Sequence, residues 1–485
     1  MLVMGTNVQI GEYPQVIQGG MGIGVSNWRL AKSVSQSGQL GVVSGTALDS
    51  VAARRLQLGD NDGSIRRALS HFPFPEMANR VLEKHFVEGG KPDEKPFGIE
   101  PLPSLKMRQS QLDLLIVSNF AEVYLAKEGH NNSVGINFME KIQLPLLPSL
   151  FGALIAGVDY VLIGAGIPLS IPGILDDMSS WQAVSLKLDV DGNSNGDSFM
   201  FEFDPSEFVE AEKPVLRRPK FLAVVSSEIV AKSLIRRANG VVNGFVVETP
   251  DAGGHNAPPR KKPISETNEP IGFGPKDIPN MERIRGLGKP FWIAGSQASP
   301  SSLQSALSCG AKGIQVGSAF AFCEESGIDT KLKHEVVEKG LKNVLKVKTD
   351  FQASPTGYPF KLADVSETIS DPEKYQDRKR VCDLGYLRQA YTTGDGKVGF
   401  RCPGEPKHSF LSKGGREADT VGKVCLCNGL LSTIGLGQSR GAKAELPIVT
   451  AGVNFDFLNY VVIGPDPEYS AKQVIDYLTR NKAVV

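Results

Sequence analysis

Short apolar runs bounded by glycine punctuate the first two thirds of the chain. They are Val16–Gln18, Leu40–Val43, Val134–Asn137, Tyr160–Ile163, Phe221–Val225, Gly244–Val247, Phe291–Ala294 and Gly313–Val316. Runs that are apolar at consecutive positions suit strands covered on both faces, as in a parallel sheet. Four of the seven gaps between runs match one strand plus one helix, which takes roughly 20 to 30 residues. Between the last two runs Ser299 can cap a helix and Pro300 takes its first position. Leu303, Ala306 and Leu307 then form one apolar face, and Gly310 ends it. A second helix is predicted from Ser227 to Gly240, with Ile229, Val230, Leu234 and Ile235 inward. Eight strand–helix units closing on themselves predict an α/β fold, a (β/α)8 TIM barrel. A doubly wound open sheet is the alternative, but it rarely needs eight regular repeats.

The long gaps predict insertions after strands 2 and 4, about residues 50–133 and 176–215. The first carries charged helical segments and a proline-rich stretch. Within the second, residues 182–205 alternate as two strands around a turn. Asp189, Asp191 and Asn193 have the spacing of a calcium loop, but glycine is misplaced and the closing glutamate is absent, so a hairpin turn is the reading. Beyond about residue 330 the pattern changes to charged helices and loops. The chain therefore divides into a barrel over 1–330 and a mainly helical C-terminal extension over 331–485, packed on the barrel.

Composition narrows the function classes. The 485 residues are 41% apolar and 22% charged, with zero formal net charge, which argues against nucleic acid or an anionic membrane as partner. The N-terminal stretch lacks the basic start and long apolar run of a signal peptide. The longest apolar tract, 160–175, is broken by two prolines and holds three glycines, a poor membrane span. Six cysteines in so long a chain do not form a disulfide framework, and a reducing cytoplasm is the expected location. Cys382, Cys402, Cys425 and Cys427 could bind zinc or an iron–sulfur cluster, but without paired C-x-x-C spacing they are read as ordinary thiols, and no metal is expected.

Three glycine-rich stretches follow strands. QGGMGIGVS (18–26) sits between the first strand and the first helix but fits no register of G-x-G-x-x-G. Its glycines suit a backbone lying flat against a planar ring. AGSQ (294–297) and QVGSA (315–319) follow the seventh and eighth strands, where barrels bind phosphate through backbone N–H groups. TPDAGGHNAPPR (249–260) follows the sixth strand and sets one of only six histidines, His255, between paired glycines and paired prolines. Its position on the face where barrels place their chemistry makes it the candidate proton-transfer residue. No G-x-S-x-G motif points to a serine triad.

Together QGGMGIG, VGINF (134–138), AGGHNAPPR, AGSQ and GAKGIQVGSAFAFCEESG (310–327) resemble the nitronate monooxygenase family, formerly the 2-nitropropane dioxygenases. The resemblance runs from about residue 14 to 330, with insertions. It implies an FMN-binding TIM barrel with the flavin at the C-terminal mouth. It places Gly20, Met21 and Gly22 along the isoalloxazine with Asn137 near it, and Gly253 and Gly254 beside ring and substrate. It gives the FMN phosphate to Gly295, Ser296, Gln315, Gly317 and Ser318, and makes His255 the active-site histidine. The chain departs from simpler members in its length, its hairpin, its cysteine-bearing extension and the NAPPR ending of the histidine loop. Longer relatives of this type include enoyl reductases acting in trans with polyketide or polyunsaturated fatty acid synthases.

The expectation is an FMN oxidoreductase with a small-molecule substrate. Oxidation of an alkyl nitronate with O2 is the lead, with His255 positioning the anion. Reduction of an enoyl thioester by NAD(P)H, with an acyl carrier protein docked on the insertions, is the alternative. A non-catalytic flavin- or phosphate-binding barrel is the third reading.

Overall fold

Each apolar run forms a strand, and the strands close into a ring. The computed structural model describes residues 13–192, 198–210, 212–260, 272–441 and 443–480, so Asn193 and the first twelve residues lie outside the description. The ring strands are β1 (Val16–Gln18), β2 (Gly41–Ser44), β3 (Val134–Met139), β4 (Tyr160–Gly164), β5 (Lys220–Val225), β6 (Gly244–Glu248), β7 (Phe291–Ala294) and β8 (Gly313–Val316). Neighbours pair in parallel from β2 through to β8, and β8 pairs with β1. A parallel bridge from Ile17 to Leu40, with Gln18 N donating to Leu40 O at 3.0 Å, closes β1 on β2. This is the eight-stranded (β/α)8 barrel.

Alternation along each strand sorts side chains into two cores. Ile17, Leu40, Val42, Tyr160, Leu162, Leu222, Val246, Trp292 and Ala294 fill the inside of the ring. Residues one step out of phase, such as Val16, Val43, Val161, Ile163, Phe245 and Ile293, belong to the layer packed under the helices. Trp292 is fully buried in the ring, and its indole N–H donates to Pro14 O at 2.8 Å. The lower barrel is thus plugged, which leaves the strands' C-terminal ends as its open mouth.

The helix after β7 spans Pro300–Ser308, capped by Ser299, with Leu303 and Ala306 buried. The helix Glu228–Arg237 is capped by Ser227, but it buries Ala231 and Leu234, while Ile229 is 69% exposed and Ile235 also faces outward. Ile229 lies two residues from Ala231, about 160° around the helix, which puts it on the opposite side. The apolar identity of Ile229 misleads because the helix's inward stripe runs through the smaller alanine.

The first insertion holds helices Leu48–Gln57, Ser64–Leu69, Pro75–His85 and Gln109–Lys127. The last is buried on nearly all sides because it packs on Leu146–Ile155 and is covered by the other three. In the second, Val184–Lys187 pairs antiparallel with Met200–Phe203. Asp189 pairs with Lys141 and Asp191 with Arg401, so neither aspartate is left for a calcium loop.

Regular structure in the extension is more helix than strand. Helices include Thr330–Leu341, Leu426–Thr433 and Ala471–Leu478, and short strands include Phe360–Ala363 and Gln389–Thr392. Phe457, Leu458, Val461, Val474, Ile475 and Leu478 join the layer that covers the barrel. The four late cysteines gather around a cavity of about 10 Å³. All are free thiols, and burial pushes Cys382 up to about 11 and Cys402 and Cys427 upward too. No group of His, Cys, Asp or Glu with metal-holding geometry occurs among the described residues.

Candidate functional site

The C-terminal ends of the strands enclose a recess of about 270 Å³. Its wall contains every residue that the sequence proposes for cofactor binding or catalysis: Gly20, Met21, Gly22, Asn137, Gly253, Gly254, His255, Gly295, Ser296, Gln315, Gly317 and Ser318. Residues separated by nearly 300 positions are brought together because each closes a strand or opens the loop after one.

The first loop is folded around one hydroxyl. Ser26 Oγ donates to Gly19 O at 2.9 Å and accepts from Gln18 Nε2 and Met21 N, which exhausts its hydrogen-bonding capacity. Gln18 in turn accepts from Val42 N at 2.9 Å, anchoring the loop to β2. A Cβ on Gly20 would lie 2.3 Å from Asn137 Cβ, so glycine here lets β1 meet β3. At Gly253 a Cβ would lie 2.8 Å from the Ala451 backbone, which makes that glycine a seat for the extension. Gly317 differs, because its Cβ would meet only Met21 Sδ at 3.7 Å, an ordinary contact.

Several polar groups in the wall have no partner among the described residues. Ser296 Oγ is buried and unbonded, and Ser296 holds a positive φ of 51°. The side-chain amides of Asn137 and Gln315 make no hydrogen bond among the described residues. The N–H groups of Ser296, Gln297, Gly317 and Ser318 are likewise unpaired among the described residues. Ser318 Oγ accepts from Gly452 N at 2.8 Å and keeps its own O–H to donate. A buried polar group without a partner costs about 1–3 kcal/mol, and a bound anion would remove that cost. No Lys or Arg lines the recess among the described residues.

His255 is held by the extension rather than by the barrel. Its backbone pairs antiparallel with Phe360, whose ring meets the imidazole edge-on at 4.8 Å between centroids. Nε2 is 2.7 Å from Ser354 Oγ, and Ser354 is fully buried. Thr450 Oγ1 accepts from Gly254 N at 2.9 Å, and Lys361 N donates to Gly254 O at 2.9 Å. Tyr386, Leu387, Leu430 and Phe457 complete the roof. Sequence reading missed this whole contribution, because nothing local in the extension signals a ligand.

Glu248 was also missed, and it left a signal. It ends the apolar run of β6 two residues after the inward Val246, so it points into the mouth. It has no ion pair or hydrogen bond among the described residues, and burial alone pushes its carboxyl up to about 8. Burial likewise pushes the His255 imidazole down to about 4. Both side chains line the recess. Both are uncharged at neutral pH.

The raised carboxyl predicts a pH-dependent stability. Relative to its ordinary value of 4.5, a folded value of about 8 means that stability is full below 4.5 and declines as pH rises towards 8. His255 acts with the opposite sign, losing stability as pH falls from 6.5 towards 4. Without ligand, Glu248→Gln is expected to abolish the alkaline decline, worth up to about 1.4 kcal/mol per pH unit. Urea midpoints of both proteins at pH 5 and 8 check this; equal declines would refute it.

A closed parallel α/β barrel with a roofed recess at its C-terminal mouth, mostly apolar with a few polar groups, has the form of the small-ligand sites barrel enzymes use. No known family's sequence profile matches the chain, and no curated protein does. Among solved structures, FabK from Thermotoga maritima is similar at 15% identity and a TM-score of 0.38, over 76% of each chain. Nitroalkane oxidase from Streptomyces ansochromogenes is similar at 13% identity and 0.36, over 72% of this chain and 76% of that one. The enoyl reductase domain of MlnA, from the macrolactin biosynthesis cluster of Bacillus amyloliquefaciens, is similar at 12% and 0.37, over 76% and 69%. At these scores the barrel assignment rests on its own strand register.

Proposed function

We propose that this chain is an FMN-dependent oxidoreductase that reduces an enoyl thioester with electrons from NAD(P)H. The observation that carries the reading is the charge state of the recess: an acid and an imidazole held neutral by burial, with no cation in the wall among the described residues. The residues fit FMN. Unpaired N–H groups at 296–297 and 317–318 and the Ser296 hydroxyl would take the phosphate, and the glycine-rich turn at 20–22 with Asn137 would take the ring. When bound, FMN supplies the electron-pair transfer.

The chain's part is binding, orientation and a proton. The β6 loop carries His255 beside the substrate's place, where a neutral imidazole donates an N–H to the carbon that must be protonated. Glu248, protonated below about 8, adds a second proton source at the mouth. Tyr386, Leu387 and Phe457 roof the recess against water. Nitronate oxidation is served less well. An anionic nitronate would meet no Lys or Arg among the described residues, and an imidazole held near 4 is a weak base for a nitroalkane.

The experiment separates the two. NADPH should bleach the flavin of the purified protein anaerobically, and a crotonyl thioester should restore its colour. Oxygen uptake on propyl nitronate without NAD(P)H, together with no response to the thioester, would reverse the choice. Protein that binds no flavin would overturn both.

A further inference from the structure

His255 is tied to a second cavity by two hydroxyl groups. Ser354 Oγ lies 2.7 Å from His255 Nε2 and 2.8 Å from Thr356 Oγ1. Ser354 is fully buried, whereas Thr356 is partly exposed and lines a separate cavity of about 180 Å³. That cavity lies between the barrel and the extension, with Lys141, Asp189 and Arg388 in its wall. It reaches water at Asp189, whose side chain is 68% exposed. Thr356 N also donates to Ser354 Oγ at 3.2 Å. One lone pair is therefore taken, leaving one proton and one lone pair for His255 and Thr356. The serine must donate to one and accept from the other, so the three groups form a directional chain.

We propose that Ser354 and Thr356 are positioning residues that relay a proton from water in the second cavity to His255. The proposal rests on the reading that His255 protonates substrate. As the Nδ1–H bond breaks and the substrate C–H bond forms, Nε2 takes the Ser354 hydroxyl proton. Ser354 takes one from Thr356, and Thr356 takes one from water. One proton enters from water and one leaves on substrate, and the hydroxide left behind is neutralised by solvent. The ring ends as its other tautomer, and it resets by exchange with water when the recess empties. The relay lets the roof stay closed over the reaction while a proton arrives from behind.

The test compares Ser354→Ala, Thr356→Val and Ser354→Thr, with His255→Ala as reference. Stopped flow reads flavin reduction by NADPH and its reoxidation by a crotonyl thioester, each in H2O and D2O. Ser354→Ala and Thr356→Val are expected to slow reoxidation about tenfold or more with an altered solvent isotope effect. Reduction should be unchanged, and Ser354→Thr should restore the rate. A second readout does not need turnover. In 15N-histidine spectra, the resonance lost in His255→Ala should change its tautomer balance in Ser354→Ala. If His255→Ala slows reoxidation while the two relay variants do not, and the tautomer is unmoved, the relay is wrong. If His255→Ala itself reoxidises normally, the reading of His255 fails instead; an unmoved tautomer in Ser354→Ala would still refute the relay.

Discussion

Replacing His255 with alanine is expected to lower thioester reduction by about 100- to 10,000-fold, the usual contribution of a positioned proton donor. Bound flavin should remain, because the groups proposed to hold its phosphate, at 295–297 and 315–318, belong to the ends of other strands and the loops after them. The loss should fall on the step that protonates substrate and leave flavin reduction by NADPH intact. Glu248 sets the size of the effect: as a second neutral acid in the same recess, it can supply part of the proton at pH below about 8. The deficit of His255→Ala should therefore widen between pH 7 and 9 as Glu248 ionises. His255→Ala/Glu248→Gln should show the widened deficit at every pH. Single-turnover reoxidation across that range checks this, and wild-type rates in His255→Ala would remove the histidine from the chemistry.

Gly20→Ala is expected to lose bound flavin and several degrees of melting temperature. The new Cβ would stand 2.3 Å from Asn137 Cβ and 3.1 Å from Val42 Cγ1, both on neighbouring strands that cannot retreat. Overpacking of this kind costs about 1–3 kcal/mol, and each kcal/mol lowers the melting temperature of a large domain by roughly 2–4 °C. Gly317→Ala is the contrast, since its nearest neighbour would be Met21 Sδ at 3.7 Å. It should leave the flavin-free protein as stable as wild type and still lose the cofactor. A Gly317→Ala protein that keeps its flavin would show that the phosphate does not approach there. Flavin absorbance and melting curves with and without FMN decide both cases.

The eight strands were legible because barrel strands are buried on both faces and so write themselves as uninterrupted apolar runs. The loops at 18–26, 294–297 and 315–319 were legible because close backbone approach demands glycine. What the approach was to could not be read. Gly20 makes room for Asn137, and Gly253 makes room for Ala451, both protein neighbours. Ile229 misled because side-chain apolarity was taken for burial when helix phase decides it. Glu248 was within reach, as an acid two residues after an inward valine at a strand's C-terminal end.

Local patterning by itself determined the barrel, its glycine-rich mouth and the loop that carries His255, since strand burial, glycine and proline act within a few residues. Only the tertiary structure decided that the extension roofs the recess and that Ser354, Phe360 and Thr450 hold the histidine loop. It also decided that the Glu248 carboxyl is buried, which pushes it up to about 8. Those outcomes depend on which distant segments exclude water from one place, and no short stretch of sequence carries that information.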